Sequence, residues 1–360
     1  MKTIVFIITD ITLNGGVERI TTILANLFTQ KGFRVTIISL FKSNDNLQYK
    51  VTQDVKILYA TNDSYNLENK SRISNSILLI QAYGKLKTLL INNKFDIIIS
   101  QCFLPSLLVY LQGFAKYSIV CDHFKYELYK YPLRKLRDYI YGKFKQVVVL
   151  TNKDYNKYRE IISNVSLIPN VSPFKTSDTV ANLSIKRMIA VGRLHPQKGF
   201  DLLLYSVKEV FEKYPDWSLD IFGEGYLNNQ LIQQRDKFHL QNNVHFKGYT
   251  NDVRNEMLNS SIYILSSRYE GLPLVLLEAL SCGLPIVSFN CPEGPEEILR
   301  DDSGILVEPE NVEKMSEAIV RMIEHEELRQ MYSLKGLAQS KKYSAENIYK
   351  KWDELFHRIF

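Results

Sequence analysis

One stretch constrains the fold more than any other: residues 266–299, which read SSRYEGLPLVLLEALSCGLPIVSFNCPEGPEEIL. The apolar run Ile262–Leu265 before it predicts a buried strand. Residues 271–273, Gly-Leu-Pro, predict a turn into a helix, because proline lacks the N–H that a first helical turn leaves unpaired. This helix is expected to end at Cys282-Gly283, and residues 285–289 predict a second buried strand. The stretch therefore predicts a strand–helix–strand unit whose loops mark a ligand site. The side chains expected on the inward face of the helix are Leu274, Val275, Leu277 and Leu280.

Two carboxylates lie in this stretch at a spacing that suits a phosphate-containing ligand. The N-terminus of a helix favours a phosphate group because its N–H groups are unpaired and its dipole is positive there. Glu270 precedes the helix and Glu278 lies about two turns inside it, so acceptor oxygens would flank such a phosphate. A nucleotide-sugar presents sugar hydroxyls, a diphosphate and ribose hydroxyls in that order. The alternative is a pair of surface glutamates on an amphipathic helix, and the surrounding glycines, prolines and strands favour the ligand site.

The pattern E-x7-E in YEGLPLVLLEALSCGLPIV resembles the donor-site signature of family 4 retaining glycosyltransferases. The resemblance covers nearly the whole chain and is strongest from residue 188 to residue 307. It implies that Glu270 contacts donor-sugar hydroxyls, that Glu278 holds the ribose, and that Gly271 and Leu272 lie at the diphosphate. The fold it implies is α/β of the GT-B type, with two Rossmann-like domains whose parallel sheets face a central cleft.

Composition agrees with a two-domain enzyme. A chain of 360 residues can bury two cores, and its 45% hydrophobic and 23% charged residues are typical of a soluble protein. The net charge of +6 favours an anionic partner. The four cysteines form no C-x-x-C pair, which argues against a disulfide framework or zinc site and for a reducing cytoplasm. No apolar run reaches the roughly 18 to 20 residues needed to span a bilayer, so we expect a cytoplasmic protein.

The N-terminal residues predict a second phosphate cradle. A buried strand, Thr3–Ile8, is followed by the loop Asn14-Gly15-Gly16 and a helix from Val17 to Lys31. The motif NGGVER resembles the N-terminal glycine loop of the family. The resemblance implies that Gly15 and Gly16 approach the donor diphosphate and the acceptor. Strands and helices then alternate, which predicts a mainly parallel sheet. The further strands expected in this domain are 34–40, 55–58, 96–100, 118–121 and 146–150.

Residues 117–145 interleave basic and aromatic side chains. This composition suits an anionic membrane surface and would also suit nucleic acid. The alternative is a solvated amphipathic helix whose tyrosines pack on the domain. The resemblance argues against nucleic acid, because related bacterial enzymes act on polyprenyl-diphosphate-linked acceptors at the membrane. It therefore implies such a saccharide acceptor and a peripheral position at the inner face of the membrane.

His123 directly follows the predicted strand 118–121, at the carboxyl edge of the sheet. A lone histidine is more often structural than catalytic. The pair Asp122-His123 matches a sequence motif of the family in which a histidine lines the cleft near the donor sugar. The resemblance therefore implies a catalytic-site role for His123.

The second domain begins with a strand from Arg187 to Val191 and the loop GRLHPQKG. Its Arg193 and Lys198 are two cations at a strand-to-helix loop, which a diphosphate leaving group would satisfy. Surface charge is the alternative, but the loop is a second match to the family, whose Arg and Lys neutralise the nucleotide diphosphate. The resemblance also places Gly223 and Gly225, from the turn FGEG, near the base. No D-x-D-like metal site stands out, so we predict metal-independent activity with no cofactor beyond the nucleotide-sugar co-substrate.

The predicted domains are 1–170 for the acceptor and 186–342 for the nucleotide-sugar, joined by a linker over 171–185. Residues 343–360 are expected to form a helix that packs back on the first domain. The residues 291–297 are expected to form a loop at the donor sugar, and their CPEGP differs from the double glycine of many relatives. The predicted activity is transfer of a hexose or N-acetylhexosamine, with retention, from a UDP-sugar. A GT-B nucleotide-sugar epimerase and a non-catalytic nucleotide-sugar-binding subunit are the alternatives.

Overall fold

The computed structural model describes residues 1–65, 72–175 and 179–360. The chain divides into two compact units. Unit 1 comprises Met1–Val171 and Ile348–Phe360, and unit 2 comprises Ser172–Asn347. Within the segment 171–185, which was expected to be a linker, Val171 belongs to unit 1 and the described residues from Ser172 onward belong to unit 2. There, the N–H of Ala181 donates to the carbonyl of Cys282 at 2.8 Å.

Each unit contains one parallel sheet. The strands of unit 1 are β1 Thr3–Ile8, β2 Arg34–Ser39, β3 Lys56–Tyr59, β4 Ile97–Gln101, β5 Ser118–Cys121, β6 Gln146–Val149 and β7 Val165–Leu167. The strands of unit 2 are β8 Arg187–Val191, β9 Ser218–Phe222, β10 Val244–Gly248, β11 Ile262–Leu265, β12 Ile286–Phe289 and β13 Ile305–Val307. The first sheet has the order β3-β2-β1-β4-β5-β6-β7, and the second has the order β10-β9-β8-β11-β12-β13. The central strands β1, β2, β4, β6, β11 and β12 are almost wholly buried because helices cover both faces of the sheets.

Helices alternate with these strands, as the sequence predicts for Rossmann-like domains. The α-helices are α1 Gly16–Gln30, α2 Arg72–Asn93, α3 Phe103–Leu111, α4 Leu133–Tyr141, α5 Asn152–Arg159, α6 Phe200–Lys213, α7 Asn228–Lys237, α8 Val253–Leu258, α9 Leu274–Ser281, α10 Gly294–Ile298, α11 Val312–Glu324, α12 Glu326–Ser340 and α13 Ala345–Ile359. The α/β class with two Rossmann-like domains is confirmed.

The C-terminal residues of α13 belong to the core of unit 1. The ring of Phe28, on α1, lies 5.7 Å from that of Trp352 and 5.5 Å from that of Phe356. All three side chains are buried. Edge-to-face contacts of this kind stabilise a core beyond the area they bury.

Two details of the central stretch differ from the predictions. Helix α9 is buried almost all round: Leu276 is fully buried, whereas Val275 is only partly buried. The reason is that α9 packs against α12 as well as the sheet, and Gly336 lets α12 approach Leu280 closely. The second difference is that the segment expected to be a loop over 291–297 contains the start of the short helix α10.

Candidate active site

In unit 2 the two strands β8 and β11 lie side by side at the point where the strand order reverses. The chain continues from β8 toward β9 on one side, and from β11 toward β12 on the other. The loops that follow β8 and β11 therefore diverge, and a crevice at such a switch point is where open α/β sheets bind ligands. Arg193 and Lys198 lie on the first loop, and Glu270 lies on the second. Sequence reasoning chose these residues separately, and the sheet brings their loops together.

Lys198 and Glu270 form an ion pair. The ammonium nitrogen Nζ of Lys198 lies 2.6 Å from Oε1 of Glu270, and the hydroxyl of Ser267 donates to the same oxygen at 2.6 Å. Only 15% and 8% of the two charged side chains are exposed. A charge pair removed from water is stable only when further hydrogen bonds support it, and Ser267 supplies one here.

A second set of contacts joins the two loops. The guanidinium of Arg268 binds both carboxylate oxygens of Asp201, at 2.9 and 2.6 Å, and also donates to the carbonyl of Pro196 at 2.7 Å. The hydroxyl of Ser266 donates to the carbonyl of Lys198 at 2.9 Å. A bidentate Arg–carboxylate contact is geometrically specific. These bonds therefore fix the backbone that carries Lys198 and precedes Glu270.

Arg193 differs from Lys198 in its surroundings. Its side chain is exposed. Within the part of the chain that the structure describes, its guanidinium makes no hydrogen bond or ion pair. An unengaged cation beside the buried pair is available to an anionic ligand.

The predicted glycines Gly223 and Gly225 have a packing role in the structure. A Cβ atom on Gly223 would overlap the carbonyl oxygen of Gly192, and one on Gly225 would overlap that of Leu194. Gly223 also has φ +143°, a conformation that other residues rarely adopt. The turn after β9 thus packs directly on the loop that carries Arg193.

Glu278 lies inside α9 and is fully buried. The alternative that it is a surface glutamate is therefore wrong, and the same holds for Glu270, which is 7% exposed. Leu272 is also buried, so its backbone is what it can offer a ligand. Helix α9 begins at Leu274, one residue after Pro273, which occupies the N-cap position rather than the first helical turn.

The predicted glycine loop of unit 1 lies at the start of α1. A Cβ on Gly16 would meet nothing within 4 Å, whereas one on Gly15 would overlap the carboxylate of Glu18. Gly16 therefore borders open space and Gly15 is covered by a side chain. The hydroxyl of Tyr49 donates to Oδ1 of Asn14 at 2.6 Å and holds the preceding residue.

His123 lies at the carboxyl edge of the first sheet and is partly buried. Its Nε2 atom is 2.5 Å from Oε1 of Gln101, the last residue of β4. Burial lowers the pKa of His123 to about 4, so the ring is neutral at pH 7. The neighbouring Asp122 accepts a hydrogen bond of 2.5 Å from the hydroxyl of Tyr158, and burial raises the pKa of its carboxyl to about 6.

The basic and aromatic segment 117–145 is divided by the fold. Arg137 is fully buried, 4.5 Å from the ring centre of Tyr126 and 4.9 Å from that of Tyr158, and it pairs with Asp138 at 2.8 Å. This part of the segment packs on the domain, as the amphipathic-helix alternative held. Large apolar side chains of the segment that stay exposed are Tyr117, Phe124, Leu128, Tyr131, Leu133, Leu136 and Tyr139.

Two family models match most of the chain. Residues 14–171 match the model of Glycosyltransferase Family 4, and residues 174–338 match that of Glycosyl transferases group 1. The chain belongs to glycosyltransferase family 4.

This glycosyltransferase is similar to two bacterial relatives over nearly its full length. It is 28% identical to the amylovoran biosynthesis glycosyltransferase of Erwinia amylovora, over 99% of this chain and 100% of the relative. It is 25% identical to the N-acetylgalactosamine-N,N'-diacetylbacillosaminyl-diphospho-undecaprenol 4-alpha-N-acetylgalactosaminyltransferase of Campylobacter jejuni, over 93% of this chain and 94% of the relative.

A solved structure shows the same fold. The crystal structure of a TarM variant from S. aureus, in complex with Fondaparinux, alpha-GlcNAc-glycerol and UDP, matches with a TM-score of 0.83. The match covers 99% of this chain and 100% of that chain at 17% sequence identity. The glycosyltransferase therefore has the GT-B fold.

Three residues that shape the candidate site were missed as such by sequence reasoning: Gln101, Arg137 and Arg268. A helical spacing could have found Arg137, because it shares a face of α4 and the following turn with buried Ile140, Tyr141 and Phe144. No sequence signal marks Gln101 or Arg268, since their partners are 22 and 67 residues away.

Over the described ranges 1–65, 72–175 and 179–360, no group of three or more His, Cys, Asp or Glu residues is arranged to hold a metal ion. Among the helices in those same ranges, none is long and apolar enough to cross a membrane.

Proposed function

We propose that this glycosyltransferase transfers a hexose or N-acetylhexosamine from a UDP-sugar to a lipid-linked saccharide acceptor in bacterial surface polysaccharide or glycan synthesis. Transfer proceeds with retention at the anomeric carbon and without a metal ion. One observation carries the donor half of this proposal: the buried Lys198–Glu270 pair lies with the exposed Arg193 at the switch point between β8 and β11.

The chemical problem is the departure of a nucleoside diphosphate while positive charge develops on the sugar ring. Arg193 and Lys198 stabilise the negative charge of the leaving diphosphate, and the N–H groups at the start of α9 add to that field. Glu270 accepts hydrogen bonds from donor-sugar hydroxyls and Glu278 from the ribose. Fixed charges of this kind cost no reorganisation during the reaction, because the bonds of Ser267 and Arg268 already hold the loops.

Cations supplied by the chain can take the place of Mg²⁺ at the diphosphate. Assay with excess chelator tests this: unchanged turnover supports metal independence, and turnover that is lost and then restored by Mg²⁺ refutes it. Proton NMR of the product, beside the donor, reads the anomeric configuration. An inverted product refutes retention without touching the rest of the proposal.

The donor is tested by melting temperature with a panel of nucleotides and nucleotide-sugars. A ligand that binds only the folded state raises the melting temperature by mass action. UDP and UDP-sugars are expected to raise it. A rise with another nucleotide alone would change the donor class, and no rise with any nucleotide would favour a non-catalytic subunit. Donor hydrolysis or isomerisation without an acceptor would indicate the epimerase.

The acceptor is proposed to be linked to a polyprenyl diphosphate. The name of the Campylobacter jejuni relative includes a diphospho-undecaprenol-linked saccharide. Support within this chain comes from the exposed side chains around α4, where Tyr131, Leu136 and Tyr139 are 68%, 48% and 57% exposed. Exposed lysines lie among them at Lys130 and Lys135. Rings and cations in this arrangement suit an anionic membrane surface.

Sedimentation with vesicles containing anionic or only zwitterionic lipid tests that contact. Binding to the anionic vesicles is expected, with a decrease at high salt. The double variant Leu136→Ser/Tyr139→Ser is expected to lose it. A matched control is Tyr205→Ser on unit 2, whose tyrosine is 55% exposed. Equal loss in both variants, or equal binding to both vesicles, would refute the contact.

A further inference from the structure

The end of β4 contacts His123. Oε1 of Gln101 is 2.5 Å from the ring Nε2 of His123. The backbone N–H of the next residue, Cys102, donates to the carbonyl of Cys121, at the end of β5, at 2.8 Å. Because β4 and β5 are neighbours in register, Gln101 and His123 meet at the same edge of the sheet.

The contact decides which ring nitrogen of His123 carries its proton. A neutral imidazole has one N–H, and the other nitrogen is an acceptor. An amide oxygen can only accept, so Gln101 requires the proton to lie on Nε2. The lone pair is then on Nδ1, which becomes a hydrogen-bond acceptor.

Burial of the polar side chain of Gln101 costs free energy, and little apart from its contact with His123 offsets that cost. The residue is 1% exposed, and within the described part of the chain its amide nitrogen makes no hydrogen bond. Leaving a buried donor unpaired destabilises a fold, and an apolar side chain of similar size would avoid that cost. The amide therefore acts through its oxygen, which contacts the ring of His123.

The surroundings of His123 contain few titratable groups. Burial alone accounts for its lowered pKa. Burial raises the pKa of the Cys102 thiol, at the start of α3, and the charges of Asp122 and of Glu18 on α1 raise it further. The adjacent Asp122 is bonded to Tyr158, on α5. A neutral amide at position 101 keeps the ring neutral, whereas a carboxylate there would hold a second proton on it.

We propose that Gln101 is a positioning residue, which fixes His123 in the Nε2–H tautomer and leaves Nδ1 as the acceptor for a substrate hydroxyl. The inference rests on the proposed glycosyl transfer and on the role that the family resemblance implies for His123, in the cleft near the donor sugar. Gln101 itself touches the histidine and acts through it.

The tautomer can be measured without any activity. The full-length protein labelled with ¹⁵N-histidine contains six histidines, and the signal of His123 is the one missing in His123→Gln. Wild type at pH 7 is expected to show a single Nε2–H tautomer. Gln101→Leu is expected to show exchange between both tautomers, and Gln101→Glu a ring whose titration midpoint is at least about one pH unit higher. An Nδ1–H tautomer in wild type would overturn the proposal, as would an unchanged tautomer in Gln101→Leu.

Kinetics then tests the consequence. Gln101→Leu and the closer isostere Gln101→Met are expected to lower kcat/KM of transfer by about tenfold, the effect of one misdirected hydrogen bond. The donor-induced rise in melting temperature should persist. As pH is lowered, the kcat/KM of Gln101→Glu should begin to fall at a higher pH than that of wild type, because the ring of His123 gains its second proton there. Gln146→Leu is the matched control, because Gln146 is buried in the same unit and bonds Ser166 instead.

The outcomes separate the two levels of the proposal. Full activity of a folded His123→Gln refutes the substrate role of His123. The ¹⁵N spectra of wild type and Gln101→Leu still test whether Gln101 fixes the tautomer of His123. Loss of activity in His123→Gln, together with full activity of Gln101→Leu and Gln101→Met, refutes positioning by Gln101 and leaves the proposed function standing.

Discussion

Lys198 Nζ lies 2.6 Å from Glu270 Oε1, although 72 residues separate the two in sequence. They meet because β8 and β11, whose loops carry them, are neighbours in the sheet. The pair keeps a cation at the place where the donor diphosphate is proposed to bind, and it keeps the carboxylate neutralised when no donor is present. One contact thus contributes to the fold and to the site.

The Lys198–Glu270 pair is expected to be coupled energetically. Lys198→Met and Glu270→Gln each leave a mostly buried charge without its partner, which costs about 3 kcal/mol in the free energy of unfolding. The double variant should lose less than the sum, by about 1–3 kcal/mol. Urea unfolding of the four proteins measures this. The exposed pair Lys213–Glu324 is the control and should show no measurable coupling. Additive losses in the buried pair would contradict the expectation.

Arg193→Met is expected to slow transfer and leave stability unchanged. The side chain is exposed, so its loss removes no packing, but the leaving diphosphate loses a stabilising charge. By analogy with the loss of one charge-stabilising donor, kcat should fall about 100-fold. Steady-state kinetics and thermal unfolding measure the two effects. Arg321→Met, an equally exposed change on α11, should alter neither, and a similar kcat for both variants would remove Arg193 from the mechanism.

Glu278→Gln is expected to weaken donor binding, because a neutral amide accepts hydrogen bonds from the ribose less strongly than a carboxylate. The side chain keeps its volume, so the packing of α9 is retained. With UDP at 100 times the wild-type Kd, wild type gains about 2.7 kcal/mol, and a variant that binds tenfold more weakly gains about 1.4 kcal/mol. The UDP-induced rise in melting temperature reports the difference. Glu324→Gln, an exposed carboxylate on α11, should keep the full rise.

Asp122 and His123 are expected to have opposite effects on the pH dependence of stability. The pKa of Asp122 is raised from 3.8 to about 6, so its stabilising contribution is present below pH 3.8 and is lost as pH rises through 6. The pKa of His123 is lowered from 6.5 to about 4, so its contribution is present above pH 6.5 and is lost as pH falls through 4. In wild type these slopes largely cancel between pH 4 and 6.

Each single variant should reveal one of these two pH dependences of the free energy of unfolding. In His123→Gln, the free energy of unfolding should fall with rising pH across 4 to 6, by up to about 1.4 kcal/mol per pH unit relative to wild type. In Asp122→Asn it should fall with decreasing pH across the same range. Urea unfolding at half-unit steps of pH tests both. The same slope in both variants would contradict the shifted pKa values.

Arg137→Lys is expected to destabilise unit 1 strongly. Lysine cannot reproduce the planar contacts with Tyr126 and Tyr158 or the bond to the carbonyl of Tyr126 at 2.8 Å. A buried charge pair that loses its geometry costs about 3–5 kcal/mol. Arg134→Lys is the control, because Arg134 is only partly buried and should change stability little. Equal urea midpoints for the two variants would show that the buried position of Arg137 is unimportant.

Much of the fold follows from local sequence patterns. Apolar runs bounded by glycine and proline marked every strand named in advance for unit 1 and unit 2 to within about one residue, since burial on both faces leaves a continuous apolar signal. The helix at residues 274–281 was placed correctly, but its buried face was not. Val275 and Leu276 exchange roles because a second helix, α12, covers α9 from the far side.

The composition of residues 117–145 pointed to one surface, whereas the fold makes two. Helical spacing puts Arg137 on the inward face of α4, and Tyr139 on the outward face. Composition does not distinguish these two residues, because it contains no information on which face of the helix each side chain occupies. Only the face to which a residue belongs separates a core cation from a surface one.

The sequence by itself identified the candidate site residues: Arg193, Lys198 and Glu270 in segments that follow strands, Glu278 inside helix α9, and His123 after β5. The tertiary structure decided which of them meet. Lys198 pairs with Glu270, and His123 with Gln101, because the order of strands in a parallel sheet brings together residues far apart in the chain. Periodicity reports how a segment is buried, and it contains no information on which strand becomes the neighbour of which. That choice follows from the packing of whole helices and strands around a common core.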